Sequence, residues 1–499
     1  MTLSFTACHK ENFNSDRHAD HDVLRRIGAQ WRVLDFDSIH SHVRQAAVTD
    51  KGGFAADRHT RALYVGKDTL LWFGNYGTDM QRIDTLLEYI SETAAAGTDT
   101  TMFGISDIRR DLAGLKTMTF DGTDNINTVI ARLEYNLTKT YLRYASSQCF
   151  GFVNGSRLLN HYEETDTAEG KDKNKFKHLY DIPLLHPDDN FYDRAVRMAS
   201  ADSFDIFIRE IQPEEPLYYK LTQRLKTATD SEREKIICNI ERCRWRQADC
   251  PSRHKKHVMV NIPSFSLYAV DGDSTMVIRI ICGAKKTKSP LLTSRLTRID
   301  LNPRWIVPVS IAKGIVYDTA YLNKENMYIY DRKAGRVSHQ EASLSKILSN
   351  DQYIVQERSD KNSLGRIIFR FENNFAIYLH HTSTPWLFER ASRAFSHGCI
   401  RVEKPVDLAR FVLGDGKDDV FERIKYSFSV ELEDKDEPKN HKSEIDRDKM
   451  INTVTVEPQV PLFINYYTCY YNDRGDITVY DDVYGYDEVI IEALKPYIR

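Results

Sequence analysis

No apolar run in these 499 residues approaches the ~20 that a membrane-crossing helix needs. Neither sign of charge is in excess, with 69 Lys and Arg against 72 Asp and Glu, so the basic footprint of a nucleic-acid binder is missing and no such partner is expected. The eight cysteines, Cys8, Cys149, Cys238, Cys243, Cys250, Cys282, Cys399 and Cys469, lack the paired spacing of a disulfide framework. Cys243, Cys250, His254 and His257 can be strung into a zinc site, but their spacing fits no common finger and their segment is strongly basic, so no metal is expected. What remains is a globular chain of two or three domains, with 27 Tyr, 23 Phe and 5 Trp to fill its cores.

The stretch Ala376 to Lys404 carries the chemistry. An apolar run, Ala376 to Leu379, reads as a strand delivering His380 at its end, and the stretch closes on Ser396, His397, Gly398 and Cys399. A thiol attacks as thiolate, and a neighbouring imidazole is the usual way to produce one; here one histidine stands two residues before Cys399 and another nineteen before it. Gly398, without a Cβ, lets a substrate carbonyl approach the main-chain N–H groups beside the thiol. Arg401 supplies a positive charge that can lower the thiol pKa or hold a carboxylate. Read from the residues alone, this is acyl transfer through a thioester, with His380 removing the Cys399 proton or holding it as an ion pair, and the N–H groups around Gly398 and Cys399 receiving the oxyanion.

The string S-H-G-C-I-R, with an upstream strand ending in L-H, resembles the nucleophile motif of the L,D-transpeptidases, the YkuD-like enzymes that cross-link bacterial cell wall. Further segments resemble the large, scaffold-bearing YcbB-like type: L-Y-V-G-K-D-T-L-L-W from Leu63 and A-R-L-E-Y-N-L-T-K-T-Y-L-R-Y-A-S from Ala131 in its helical scaffold, V-N-I-P-S-F-S-L-Y and L-N-P-R-W-I-V-P-V-S-I in its catalytic domain. The resemblance implies an α+β chain, with a helical N-terminal scaffold domain followed by a mostly β catalytic domain that carries a lid-like subdomain. It implies Cys399 as nucleophile, His380 as base, His397, Gly398, Ser396 and Arg401 as the rest of the motif, and Tyr378 lining the cleft. No cofactor is implied. The substrates would be peptidoglycan stems, a tetrapeptide donor losing D-Ala and a diamino-acid acceptor, and carbapenems would acylate the thiol. Relatives commonly read L-H-D-T-P where this chain has L-H-H-T-S, so His381 replaces an acidic residue; if a carboxylate oriented the base, activity suffers, and if a main-chain carbonyl does, it does not. His381 is itself an alternative base.

The expected division runs 1–21, a tether or signal remnant; 22–250, the helical scaffold; and 251–499, the catalytic domain, with a lid about 315–350 and a charged loop about 431–449. The F-T-A-C that ends at Cys8 resembles the tail of a lipoprotein signal, which would make Cys8 a lipid anchor and the protein periplasmic, although the basic start and apolar core of such a signal are missing. Ile83, Leu86, Leu87, Tyr89 and Ile90 predict one helix and Ile130, Leu133, Leu137, Tyr141 and Tyr144 another over 127–148. Many relatives insert a peptidoglycan-binding module near Pro213 to Glu234, where this chain leaves no room for it. From Lys256 the period changes to two, with a hairpin about Asp271, Gly272 and Asp273. Trp305 reads as core or as a cleft aromatic. Competing functions are a thiol-dependent wall hydrolase and a catalytically silent wall-binding protein; a papain-like peptidase has the opposite order of Cys and His.

Overall fold

The computed structural model describes residues 34–67, 69–73, 80–162, 177–199, 203–430, 446–472 and 474–499. Cys8 and its signal-like context lie outside them, as does most of the charged run, 431–445. The chain forms two compact units rather than parting once near residue 250. One comprises Met1–Gly155, Leu184–Arg246 and Ile490–Arg499; the other comprises Ser156–Pro183 and Gln247–Val489.

The first unit is helical and is built on one long helix. Helices α1 (Phe36–Thr49), α2 (Ala55–Gly66), α3 (Met80–Ala95) and α4 (Ile105–Thr117) pack around α5 (Ile126–Phe150). Asn125 starts α5 by accepting the Asn127 and Thr128 N–H groups, and Gly151, at φ +85°, ends it. The predicted stripe is fully buried, as are Ile83 and Ile90 on α3. Helices α6 (Asp189–Met198), α7 (Phe204–Glu210), α8 (Pro216–Leu225) and α9 (Asp230–Arg244) complete the unit, and the short turns from α7 to α9 hold no inserted module.

Between two residues of the stripe the sequence hides a carboxylate. Glu134 is fully buried on α5 and accepts the main-chain N–H groups of Leu71, Trp72 and Phe73 at 2.5, 2.9 and 3.1 Å and the Tyr64 hydroxyl at 2.5 Å. One turn on, Thr138 bonds the Tyr64 hydroxyl and the Trp72 indole N–H. An irregular segment buried among helices has no ladder to satisfy its donors, and this side chain serves instead.

The second unit is organised by a sheet that closes on itself. Strands β2 (Lys256–Asn261), β3 (Ser266–Asp271) and β4 (Ser274–Gly283) form an antiparallel meander, its first turn through Phe265 and its second through Gly272, at φ +57°. The order β5 (Leu291–Leu301), β10 (Ile367–Phe371), β11 (Leu379–His380), β13 (Ile400–Val402), β4, β3, β2, β14 (Thr453–Asn465) returns to β5, because β14 pairs both β2 and β5. The chain beyond the charged run therefore re-enters the same sheet, and closure removes open edges. A two-residue β1 (Tyr180–Asp181) adds to β5 in parallel.

Between β5 and β10 the chain makes a satellite: β6 (Trp305–Ile306), β7 (Met327–Asp331), β8 (Gly335–Val337) and β9 (Gln352–Gln356), in the order β6-β9-β7-β8, with helices α10 (Val309–Ile315), α11 (Thr319–Lys324) and α12 (Leu344–Leu348). Its core is Val307, Ala312, Val316, Leu322, Met327, Ile329, Ile347 and Ile354. It thus starts earlier and ends later than 315–350, because Trp305 pairs with Gln356.

Glu134→Ala would strand three main-chain donors at about 1–3 kcal/mol each. The expected loss is about 3–5 kcal/mol in urea unfolding followed by helical circular dichroism. Glu134→Gln keeps one acceptor and should lose less; equal losses would contradict this role.

Candidate active site

The site sits where two short parallel strands meet. β11 is only Leu379–His380, and β13 (Ile400–Val402) pairs with it so that Leu379 faces Ile400 and His380 faces Arg401. The expected longer strand from Ala376 does not form. Asn373 accepts the Phe375 and Ile377 N–H groups and Ala376 turns at φ +53°, so the chain loops until Tyr378. From there the Tyr378 carbonyl takes the Ile400 N–H at 3.0 Å and the Tyr378 N–H donates to the Cys399 sulfur.

The loop between β12 (Ala394–Ser396) and β13 holds the cysteine by its main chain. The Ser396 hydroxyl donates to the Cys399 carbonyl and accepts the Gly398 N–H at 3.1 Å. That N–H is therefore committed, contrary to the expected oxyanion role. Glycine is required at 398 for another reason, its φ of +113°. The Ser289 hydroxyl donates to the Gly398 carbonyl at 2.7 Å and the Thr287 hydroxyl to the Ser396 carbonyl at 2.8 Å. Both belong to a polar K-K-T-K-S turn whose sequence has no period and no motif to mark it.

His380 is 3% exposed. Its Nδ1 lies 2.6 Å from the His381 carbonyl and 3.2 Å from the Leu364 carbonyl. Two acceptors there require Nδ1–H, which leaves Nε2 with the lone pair that a base needs. The orienting partner is main chain, not carboxylate. The neighbouring ring faces elsewhere: His381 Nδ1 accepts the Arg366 N–H at 3.2 Å, its ring stands edge-on to Phe428, and it packs so tightly on Gly365 (φ +64°) that a Cβ there would come within 2.5 Å of it. These contacts make His381 a structural residue of the loop.

Electrostatics follow from burial. Burial pushes the His380 pKa down to about 4, helped by the Arg401 charge, and His381 to about 4 as well, helped by Arg366. Burial also pushes the Cys399 thiol up, against the pull of the Tyr378 N–H and of Arg401. Arg401 therefore does not bring the thiol below its ordinary value, and burial favours the uncharged form of both groups. Arg401 itself is half-buried; its only side-chain hydrogen bond runs to the Thr384 hydroxyl at 3.1 Å, its Nε has no partner, and no carboxylate pairs with it among the described residues.

Of the other expected site residues, Ser396 and Gly398 are buried in the loop, and His397 is exposed. Tyr378 brings its main chain to the sulfur while its ring lies against the Arg370 guanidinium, 4.6 Å away. Trp305 packs against the core of the satellite sheet, the core reading of the two the sequence allowed. His254 pairs with Asp249 and His257 bonds the His254 carbonyl, and no group of three or more metal-ligating side chains is gathered among the described residues. Of the seven described cysteines, Cys399 alone is not buried.

Comparison with known families matches an L,D-transpeptidase catalytic domain (YkuD) over residues 255–436 and a scaffold domain over residues 58–225. A Haemophilus influenzae protein named "Putative L,D-transpeptidase" is 26% identical over 359 residues, 68% of this chain and 68% of its own length.

The two depressed histidines give the fold an acid limit. Between pH 6.5 and about 4 the unfolded chain binds protons that the folded rings refuse, so this stabilisation is full above pH 6.5 and is lost as the pH falls through the window. The loss is on the order of 3 kcal/mol per ring. His381→Gln, whose carbonyl still accepts from Arg366, should show a smaller fall in melting temperature between pH 7 and pH 4.5 than the parent; equal falls would contradict it.

Proposed function

We propose that this chain, a scaffold-bearing L,D-transpeptidase by its two matched domains, cross-links peptidoglycan stems through a Cys399 thioester. The observation that carries this reading is the partly buried Cys399, in the loop that leads directly into β13, the strand paired with the one that bears His380, a buried imidazole whose Nδ1–H is held by two carbonyls. Cell-envelope association is a property of the family, and no helix among the described residues is long and apolar enough to cross a membrane. A periplasmic location, with or without a lipid at Cys8, belongs to the same proposal.

In the first half-reaction the Cys399 sulfur attacks the carbonyl carbon before the terminal D-Ala as His380 Nε2 takes the thiol proton. A neutral pair suits this concerted transfer, because neither partner is charged while the site is empty. The Cys399 N–H receives the oxyanion, since the Gly398 N–H is committed to Ser396. Imidazolium then protonates the departing D-Ala amine and the C–N bond breaks, leaving the thioester. In the second half-reaction His380 takes a proton from the side-chain amine of an acceptor stem as its nitrogen attacks; the C–S bond breaks and the thiol recovers its proton. Arg401, lacking a carboxylate of its own, holds a carboxylate of the stem.

The intact mass should rise by one adduct after incubation with a carbapenem, and not for Cys399→Ala. With a disaccharide-tetrapeptide, cross-linked dimer and free D-Ala are expected. His380→Ala should lower kcat/KM by about 10²–10⁴. Adduct with only trimmed monomer would replace this reading by a thiol hydrolase, and no adduct at all by a silent wall-binding protein.

A further inference from the structure

The helical unit contains a cavity of about 240 Å³ between α3, the C-terminal half of α5, and α8 with the turn before it. Nothing in the chemistry at Cys399 uses it. Four tyrosines line it: Tyr89, Tyr144, Tyr218 and Tyr219. Tyr144 and Tyr218 are buried as its floor, whereas Tyr219 stands at its rim, 51% exposed.

Two of its amides are fixed in place by their own hydrogen bonds. Gln148, 3% exposed, donates from Nε2 to the Tyr218 hydroxyl at 2.9 Å and to Gln212 Oε1 at 3.1 Å. Gln212 in turn donates to the Tyr144 hydroxyl at 3.0 Å and to the Ile208 carbonyl. The Gln148 Oε1, on a side chain otherwise buried, receives no donor among the described residues. Gln223 lies at the rim, bonded to Lys226, and Glu92 is the only carboxylate in the lining. Helix cores do not gather amides and phenols around an empty space for stability, because each costs desolvation. Concave sites with converging polar groups and aromatic walls are what bound small ligands require.

The lining also selects the ligand. One Glu and one Lys leave it without net charge, which disfavours phosphorylated or strongly anionic molecules. Aromatic faces suit the C–H faces of a pyranose, and fixed amides suit hydroxyl and acetamido groups, each both donor and acceptor. We propose that this cavity binds an N-acetylated amino-sugar unit of the glycan to which the stems are attached. The assignment of the glycan rests on the cell-wall reading above; the cavity and its lining do not.

The test uses the full chain and the stem-free probe N,N′,N″-triacetylchitotriose, followed by calorimetry. Saturable binding is expected for the parent and equally for Cys399→Ala. Tyr219→Ala and Gln223→Ala, both exposed at the rim, should each bind at least tenfold more weakly while melting at the parental temperature. No saturable binding, parental affinity in both rim variants, or equal binding of cellotriose, which lacks acetamido groups, would overturn the proposal. A chain that forms no acyl-enzyme yet binds the probe through these residues refutes the catalytic reading and leaves the saccharide site standing. Acylation without probe binding does the reverse.

Discussion

The chemistry proposed for the second unit depends on one hydrogen-bonding arrangement: the Nδ1–H of His380 held between the His381 and Leu364 carbonyls. It fixes the tautomer, points the lone pair of Nε2 away from the main chain, and does so without adding negative charge. A carboxylate in that place would raise the imidazole pKa and draw the proton from the thiol before substrate arrives. With carbonyls, burial dominates and both partners stay neutral. The closed sheet supplies the rigidity this needs, since His380 lies on β11 and the loop at Cys399 runs into β13, two paired strands whose register is fixed.

Much of this was legible in the residues. The 3.6-residue spacing of Ile130, Leu133, Leu137, Tyr141 and Tyr144 specified both the helix and its buried face, and the period-two run from Lys256 specified the meander. The order and spacing of His380, His397 and Cys399 marked a thiol site, and the two matched domains agree with the architecture that their neighbours suggested. The histidine at 381 left open what orients His380; the structure places the main-chain carbonyl of residue 381 in that role, an atom present whatever the side chain there.

Other features left no trace in sequence pattern. Glu134 reads as an ordinary helix residue because its role depends on where the Leu71 to Phe73 segment passes, a contact across more than sixty residues. Ser289 and Thr287 act through hydrogen bonds to carbonyls more than a hundred residues away. Apolar spacing also could not show that Trp305 and Gln356 would pair and enlarge the satellite, because a two-residue strand has no period to read.

A protonated resting thiol has a consequence for survival as well as for catalysis. Oxidants attack thiolate far faster than thiol, and sulfinic and sulfonic acids, once formed on a nucleophile, are not readily reversed. Cys399 is the one cysteine among those described that solvent reaches, so a standing imidazolium–thiolate pair would expose it to that chemistry between turnovers. On the proposed mechanism, holding the pair neutral until a carbonyl is in place would keep the sulfur reduced while it waits, an advantage that grows with the oxidising power of the surroundings.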